Sequence, residues 1–237
     1  MSSGEGDPLG AIHPHEPEVA ATQLSWLLSN VKPGHRVLDL GCGAGRTLIP
    51  LVAHGATCTG VDRDGTGLVQ CREALAASSL EADLVNADFR TWLPGHGGTW
   101  DVVCCLGNTF CLLWQIDEAV AVLRAIRDHL ADDGMLILDD IPGDLWPEVA
   151  QGSWQEGLDP ESGRQMVWAP DDAVFAIRDA ERADPGCWEL RSEGEDRPDT
   201  PMRLWTAGAM QLAAQAAGFT VPVVPTGAGI RVLTPAE

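Results

Sequence analysis

The chain has 237 residues, with 35 acidic against 15 basic side chains, a formal net charge of −20 and an isoelectric point near 4.4. A polyanionic nucleic acid would meet a repulsive surface, and no cluster of Lys and Arg overrides it, since Lys32 is the single lysine. The apolar runs fall well short of the roughly 20 residues that span a bilayer, and the acidic, Pro/Gly-rich start lacks a signal-peptide pattern, so a cytoplasmic protein that engages neither nucleic acid nor membrane is expected.

Residues 1–30 read as an N-terminal arm and helix. The stretch "MSSGEGDPLGAIHPHEPE" is broken by Pro8, Pro14 and Pro17; "EVAATQLSWLLSN" then repeats apolar residues at helical spacing until "VKPG" ends it. Beyond it, short apolar runs alternate with helical patterns. "HRVLDLG" reads as a strand, "RTLIPLVAHG" as a helix closed by Gly55, "ATCTGVD" as a second strand and "GTGLVQCREALAAS" as a helix. "ADLVNAD" and "WDVVCCLG" supply the third and fourth strands, "IDEAVAVLRAIRDHLADDG" one long helix ending at Gly134, and "MLILDD" the fifth strand.

From Ile141 to about Leu204 this rhythm breaks into "RQMVWA", "AVFAIRDAERA", "CWELRSEGED" and "MRLWT", which look like antiparallel strands between Pro, Gly and Asp turns. A helix near Trp205–Ala217 and the strands "FTVPVV" and "GIRVLTP" close the chain. The expected fold is therefore α/β: a doubly wound, mostly parallel, Rossmann-like sheet of seven strands, with an antiparallel insertion after the fifth. Residues 1–237 are expected to form one domain, with residues 141–204 as the insertion. Such sheets bind ligands outside the carboxyl ends of their strands, near the point where strand order reverses.

Seven cysteines are an odd number, expected to be reduced and mostly in the core. Cys104, Cys105 and Cys111 cluster without the paired CxxC spacing of a zinc site, and no metal is expected. The chain has nine tryptophans and no tyrosine, so no phenol is available as acid, base or hydrogen-bonding post.

In "VLDLGCGAGR", Asp39 ends a strand and Gly41, Gly43 and Gly45 open a helix, the context of a nucleotide-binding turn. Arg46 stands where a GxGxxG loop would carry on, and a loop that cradled phosphates would gain nothing from Asp39. A cationic ligand would. S-adenosylmethionine has no phosphates, offers a sulfonium and an ammonium to a carboxylate, and carries a carboxylate suited to a helix N-terminus.

Over about residues 20–140 and the closing helix and strands, the chain resembles the class I S-adenosylmethionine-dependent methyltransferases, whose first motif ends its strand with an acid followed by GxGxG. The resemblance implies a cofactor site made by Asp39, Gly41, Cys42, Gly43, Gly45 and Arg46, with Asp62 and its neighbour Arg63 at the ribose. In "NADFR", Asp88 would bind the exocyclic amine of adenine and Phe89 would pack on its ring. The segment "DVVCCLGNTFCLL" is similar to the GNSF-like segment of the glycine N-methyltransferase branch, which implies that Leu106, Gly107, Asn108 and Thr109 face the reacting methyl. Asn108 and Thr109 are thus the catalytic candidates, although the tyrosines with which that branch surrounds glycine are missing.

Methyl transfer requires an aligned, dry nucleophile more than it requires functional side chains. A neutral amine needs little else, whereas a hydroxyl usually wants a base; His13 and His15 in "HPHEP" are the candidates, if the arm folds over the pocket. Asp139 and Asp140 end the fifth strand and suit a substrate cation. They also resemble the acid pair of metal-dependent catechol methyltransferases, but that family's acid at the fourth strand is replaced by Leu106-Gly107-Asn108. The insertion is the candidate acceptor lid, with Trp154, Trp168, Arg164 and Arg178 as substrate-binding candidates among Trp146, Trp188, Arg203 and Trp205. The function expected is methyl transfer from S-adenosylmethionine to a small molecule, with an amine nitrogen ahead of a hydroxyl or carboxylate oxygen. An NAD(P)-binding oxidoreductase and a non-catalytic binder remain as alternatives, and a homodimer is allowed.

Overall fold

Gln23 and Leu27 of α1 (Pro17–Asn30) and Val31 just after it recur every four residues and are buried. The computed structural model describes residues 17–139, 158, 163–169, 172–184, 186–187, 189–191 and 199–236. After α1 come β1 (Arg36–Leu40), α2 (Leu48–Ala53), β2 (Thr57–Asp62), α3 (Gly65–Ala77) and β3 (Asp83–Asn86). The short α4 (Phe89–Trp92), β4 (Trp100–Cys105), α5 (Ile116–Asp128) and β5 (Leu130–Asp139) follow. Past them lie β6 (Gln165–Trp168), β7 (Val174–Arg178), β8 (Met202–Arg203), α6 (Ala207–Ala216) and β9 (Ile230–Leu233).

The main sheet has the order β3-β2-β1-β4-β5-β9, parallel except for the β5–β9 pair. Strand order reverses between β1 and β4, so the crevice of the fold opens at the carboxyl ends of those two strands. Side chains alternate across the sheet. Val37, Cys58, Val102 and Ile137 face one core with Leu27 of α1, Leu48 and Leu51 of α2, and Leu68 and Leu75 of α3. Leu38, Leu40, Val103, Leu136 and Leu138 face the other with Leu123 and Ile126 of α5 and Met210 and Ala213 of α6. Asp39, Asp62 and Asp139 share the parity of Val37, Cys58 and Ile137, so three carboxylates project to the α1–α3 face at one edge of the sheet.

Two expectations change in the main sheet. Six strands, rather than seven, are regular among the described residues. The segment "FTVPVV" does run antiparallel to β9, but as isolated bridges, Phe219 to Pro235 and Val223 to Val232. Pro222 and Pro225 have no N–H with which to continue the ladder. The long helix also stops at Asp128 rather than Gly134. His129 caps it, with Nδ1 at 2.6 Å from the Ala125 carbonyl and Nε2 at 2.6 Å from the His96 carbonyl. The His129 carbonyl in turn accepts from Trp100 N–H, which hands the chain directly to β5. Leu130 pairs with Trp100, Met135 with Val102, and the "ADDG" residues between them form a bulge.

The insertion forms a second, antiparallel sheet in the order β6-β7-β8. Its Met166, Phe175 and Met202 join the core that holds Phe110 and Leu138, which seats the small sheet beside the end of β4. "CWELRSEGED" contributes among the described residues only a parallel bridge from Glu189 to Trp168. Six of the seven cysteines are buried and all seven are free thiols. Among the described residues no helix is long and apolar enough to cross a membrane.

Candidate cofactor and acceptor site

The loop after β1 turns on three glycines in the left-handed region, Gly41 at φ +77°, Gly43 at +48° and Gly45 at +86°. A Cβ on Gly45 would lie 2.6 Å from Cys71 Sγ and 2.9 Å from Ile49, so the residue allows both the turn and the close approach of α3. Gly45→Ala is expected to cost more than about 1 kcal/mol of stability, read as a lower Tm in thermal denaturation. A Cβ on Gly43, by contrast, would meet nothing within 4 Å, so the middle of the loop borders open space.

Asp62 at the end of β2 latches this loop, its Oδ2 accepting from Gly43 N–H at 2.7 Å and its Oδ1 from Asp64 N–H at 2.8 Å. Asp39 lies between β2 and β4, in register with Gly60 and Cys104, and is only 2% exposed. Its Oδ2 is buried without a hydrogen-bond partner. Burial pushes its carboxyl up to about 7; Arg46 opposes the shift, while Asp62 and Asp139 add to it. A buried acceptor that lacks a donor, beside a glycine cradle open to solvent, fits a ligand that brings positive charge.

Asp139, ending β5, holds the opposite side. Its Oδ2 accepts from Asn108 N–H at 2.7 Å and its Oδ1 from Gln23 Nε2 at 2.9 Å. The first bond fixes a turn in which Gly107 (φ +74°) and Asn108 (φ +62°) are both left-handed, a conformation that asparagine tolerates better than most residues. Thr109 Oγ1 donates to the Leu106 carbonyl at 2.8 Å. Gln23 also donates to the Gly229 carbonyl at 3.1 Å, so one α1 side chain ties that helix to β5 and to the turn before β9.

A recess of about 270 Å³, including its open mouth, lies at the ends of β4 and β5, lined by Asn108, Asp139, Phe110, Cys111, Leu138, Trp205 and Met210. The Trp205 ring packs on Phe110 with centroids 5.3 Å apart, and its Nε1 is buried without a partner. A second recess, of about 360 Å³, lies between α1 and the loop, where Gln23, Leu24 and Leu27 face Arg46 and Thr47.

The candidates named from sequence divide accordingly. Asp39, Gly41, Gly43, Gly45, Asp62, Leu106, Gly107, Asn108, Thr109 and Asp139 are brought to the ends of β1, β2, β4 and β5. Cys42 is in the same loop, but its side chain packs into the core. Arg46 and Arg63 are exposed at the rim. Asp88 caps α4 and is gripped through both oxygens by Arg90, which holds its carboxyl below the usual range. Phe89 is half-buried against the α5-side core.

Trp168 packs on Phe175 at 5.2 Å, and Arg164, also half-buried, precedes β6. Arg178 corrects the reading of a substrate clamp. It is 0% exposed, and all five guanidinium N–H groups are spent on Asp199, the Gln165 side chain and the carbonyls of Cys187 and Glu189. Arg203 is likewise engaged, by Asp172 and the Trp114 carbonyl. His13, His15, Trp146, Trp154, Trp188 and Asp140 lie outside the described residues. Sequence reasoning misses Gln23, whose signal is a polar side chain in the buried stripe of α1, and places Trp205 at the edge of the insertion rather than among the site candidates.

Glycine loop, strand-end acids and reversed strand order together form the crevice typical of nucleotide-binding α/β folds, and the donor-less Asp39 suits a cationic, phosphate-free ligand. Residues 37–134 match the family model described as a methyltransferase domain. Over that stretch, which is less than half of its length, the chain is similar to methyltransferase domains. Among curated proteins it is 36% identical over 118 residues to the cypemycin N-terminal methyltransferase of a Streptomyces species, covering 49% of this chain and 46% of that one. It is 32% identical over 141 residues to the ubiquinone biosynthesis O-methyltransferase of Aromatoleum aromaticum, covering 59% and 56% respectively. The chain thus spans about half the length of the curated relatives it matches. Among solved structures, an amino pentose methyltransferase from Micromonospora echinaspora with bound S-adenosylmethionine superposes with a TM-score of 0.64 at 21% identity, covering all of both chains.

Proposed function

We propose that the protein transfers the methyl group of S-adenosylmethionine to an amine nitrogen of a small molecule seated at the ends of β4 and β5. The glycine loop, with Asp39 and Asp62, would hold the cofactor, which would supply an electrophilic methyl to the acceptor lone pair, the C–S electron pair staying on sulfur and the new ammonium losing a proton to solvent. The observation that carries the choice of nitrogen is the lining of the Asn108–Asp139–Trp205 recess. Among the described residues that line it there is no His, Lys or Tyr, the Cys111 thiol is held well above its usual value by burial, and Asp139 already accepts from Asn108 and Gln23. A hydroxyl acceptor finds no evident base among these described residues, whereas a neutral amine needs none.

In this reading Asp139 and the left-handed turn at Gly107–Asn108 set the distance between acceptor and methyl, while Phe110, Leu138 and Met210 keep the recess dry. The unpartnered Trp205 N–H offers one hydrogen bond to an oxygen of the acceptor. The small sheet β6-β7-β8, packed beside Phe110, serves as the acceptor lid. The names of two similar proteins, an N-terminal methyltransferase and an amino pentose methyltransferase, agree with an amine, whereas that of the ubiquinone biosynthesis O-methyltransferase points to oxygen. Release of S-adenosylhomocysteine is the test, measured across amino sugars, amino acids, free peptide N-termini, phenols and carboxylic acids. Turnover of amines alone is expected; turnover of phenols or carboxylic acids without amines overturns the choice of nitrogen.

A further inference from the structure

Three carboxylates meet at the ends of β1, β2 and β5, and they are not equivalent. Asp62 accepts from two backbone N–H groups and Asp139 from Gln23 and Asn108, whereas Asp39 Oδ2 is buried with no donor. The ionisable groups around Asp39 come from every neighbouring element. The loop after β1 brings Arg46 and the Cys42 thiol, β2 brings Cys58 and Asp62, α3 brings Cys71, β4 brings Cys104 and Cys105, and β5 brings Asp139. The thiols are held neutral by burial, Asp62 and Asp139 add carboxylates, and Arg46, the one cation among the described residues that acts on Asp39, is exposed on the loop. Among the described residues only the exposed Arg46 offsets an ionised Asp39.

We infer that Asp39 is the residue by which this protein tells its cationic cofactor from the uncharged product, by releasing a proton to solvent when the sulfonium binds and regaining one after the methyl has left. The inference rests on the cofactor reading above. Both ligands carry an ammonium and a carboxylate, so their difference at neutral pH is the single positive charge on sulfur. That charge, placed near a desolvated carboxyl, favours its ionised form. With the free carboxyl near 7, most molecules below that pH hold a neutral Asp39, so a bound cation must displace a proton. Affinity for S-adenosylmethionine then rises by up to about tenfold per pH unit as pH increases toward that value, and levels off above it. Affinity for S-adenosylhomocysteine follows a flatter curve, and the preference for cofactor over product grows with pH.

Titration calorimetry in buffers of differing ionisation enthalpy counts the protons directly, with the intact protein and both ligands at about pH 6.5 and about pH 8.5. At the lower pH, S-adenosylmethionine is expected to release about half a proton or more, and S-adenosylhomocysteine distinctly less. At the higher pH both releases should vanish. Asp39→Asn should abolish the difference and reduce the preference for S-adenosylmethionine about tenfold at pH 8.5. Equal proton release with both ligands overturns the inference on the wild-type protein alone, even if the variant does not fold, and so does a difference that persists in a folded Asp39→Asn. Failure of both ligands to bind would instead overturn the cofactor reading, a result distinct from binding without proton release.

Discussion

Asp62→Ala is expected to lower affinity for S-adenosylmethionine by at least about 100-fold while the protein remains folded. The resemblance assigns this carboxylate to both ribose hydroxyls, and hydrogen bonds to a charged group contribute about 1.5–3 kcal/mol each. Losing two of them exceeds the roughly 2.7 kcal/mol that corresponds to 100-fold. The structure adds a second reason: the same side chain latches the Gly43 and Asp64 N–H groups, so the glycine loop loses its register as well as its ribose contact. Helix α3 keeps its own cap, Asp64, which accepts from Thr66 and Gly67 N–H, and this limits the damage to the fold. Calorimetric titration together with a thermal melt reads both halves. Unchanged affinity would mean that the ribose lies elsewhere; a collapsed melt would mean that the latch is structural first.

The largest effect on stability is expected from Asp199→Ala. Its carboxylate is fully buried and binds Arg178 through both oxygens, Arg182 at 2.9 Å and Arg191 N–H at 2.9 Å. Removing it strands the Arg178 charge at 0% exposure, and breaking a buried pair in this way typically costs about 3–5 kcal/mol. The small sheet β6-β7-β8 should loosen while the cofactor site, which lies on the main sheet, still binds S-adenosylmethionine. Hydrogen exchange on residues 165–178 would show lost protection there and retained protection in β1 and β4. Equal loss in both sheets would contradict the separation.

Acid should weaken the same network. Burial pushes the Asp199 carboxyl up, but the hydrogen bonds from Arg178 and Arg191 N–H and the charges of Arg178 and Arg182 outweigh it, leaving a net downward shift from 3.8. A depressed folded value means stability that is complete above the unfolded value and lost as pH falls through the folded one. Loosening of the small sheet is therefore expected only below the ordinary aspartate range.

Much of the main sheet was legible because its signal is local: short apolar runs capped by acids and glycines, alternating with helical periods. Asp39 stood out in sequence as a charge in the wrong place for phosphate, and its burial without a donor accounts for that oddity in physical terms. Where two elements compete, local signals failed. "FTVPVV" has strand composition, yet its prolines cut the ladder to bridges, and "HLADDG" has helical periodicity, yet His129 ends the helix by bonding across to His96. Arg178 looks available to a substrate in the sequence because its partner Asp199 stands 21 residues later in the chain. Only the closed small sheet reveals that its donors are spent. Gln23 is the opposite case, visible as a polar interruption of an apolar stripe but without meaning until Asp139 is found within 2.9 Å of it.

The central claim is that the loop from Asp39 to Arg46 holds a cationic, phosphate-free nucleotide. Calorimetric titration of the same preparation with S-adenosylmethionine, NAD and NADP tests it most directly. Saturable one-to-one binding of S-adenosylmethionine, with no heat from either dinucleotide and no competition by them, is the result expected. Tight binding of NAD or NADP in the absence of S-adenosylmethionine binding would contradict it.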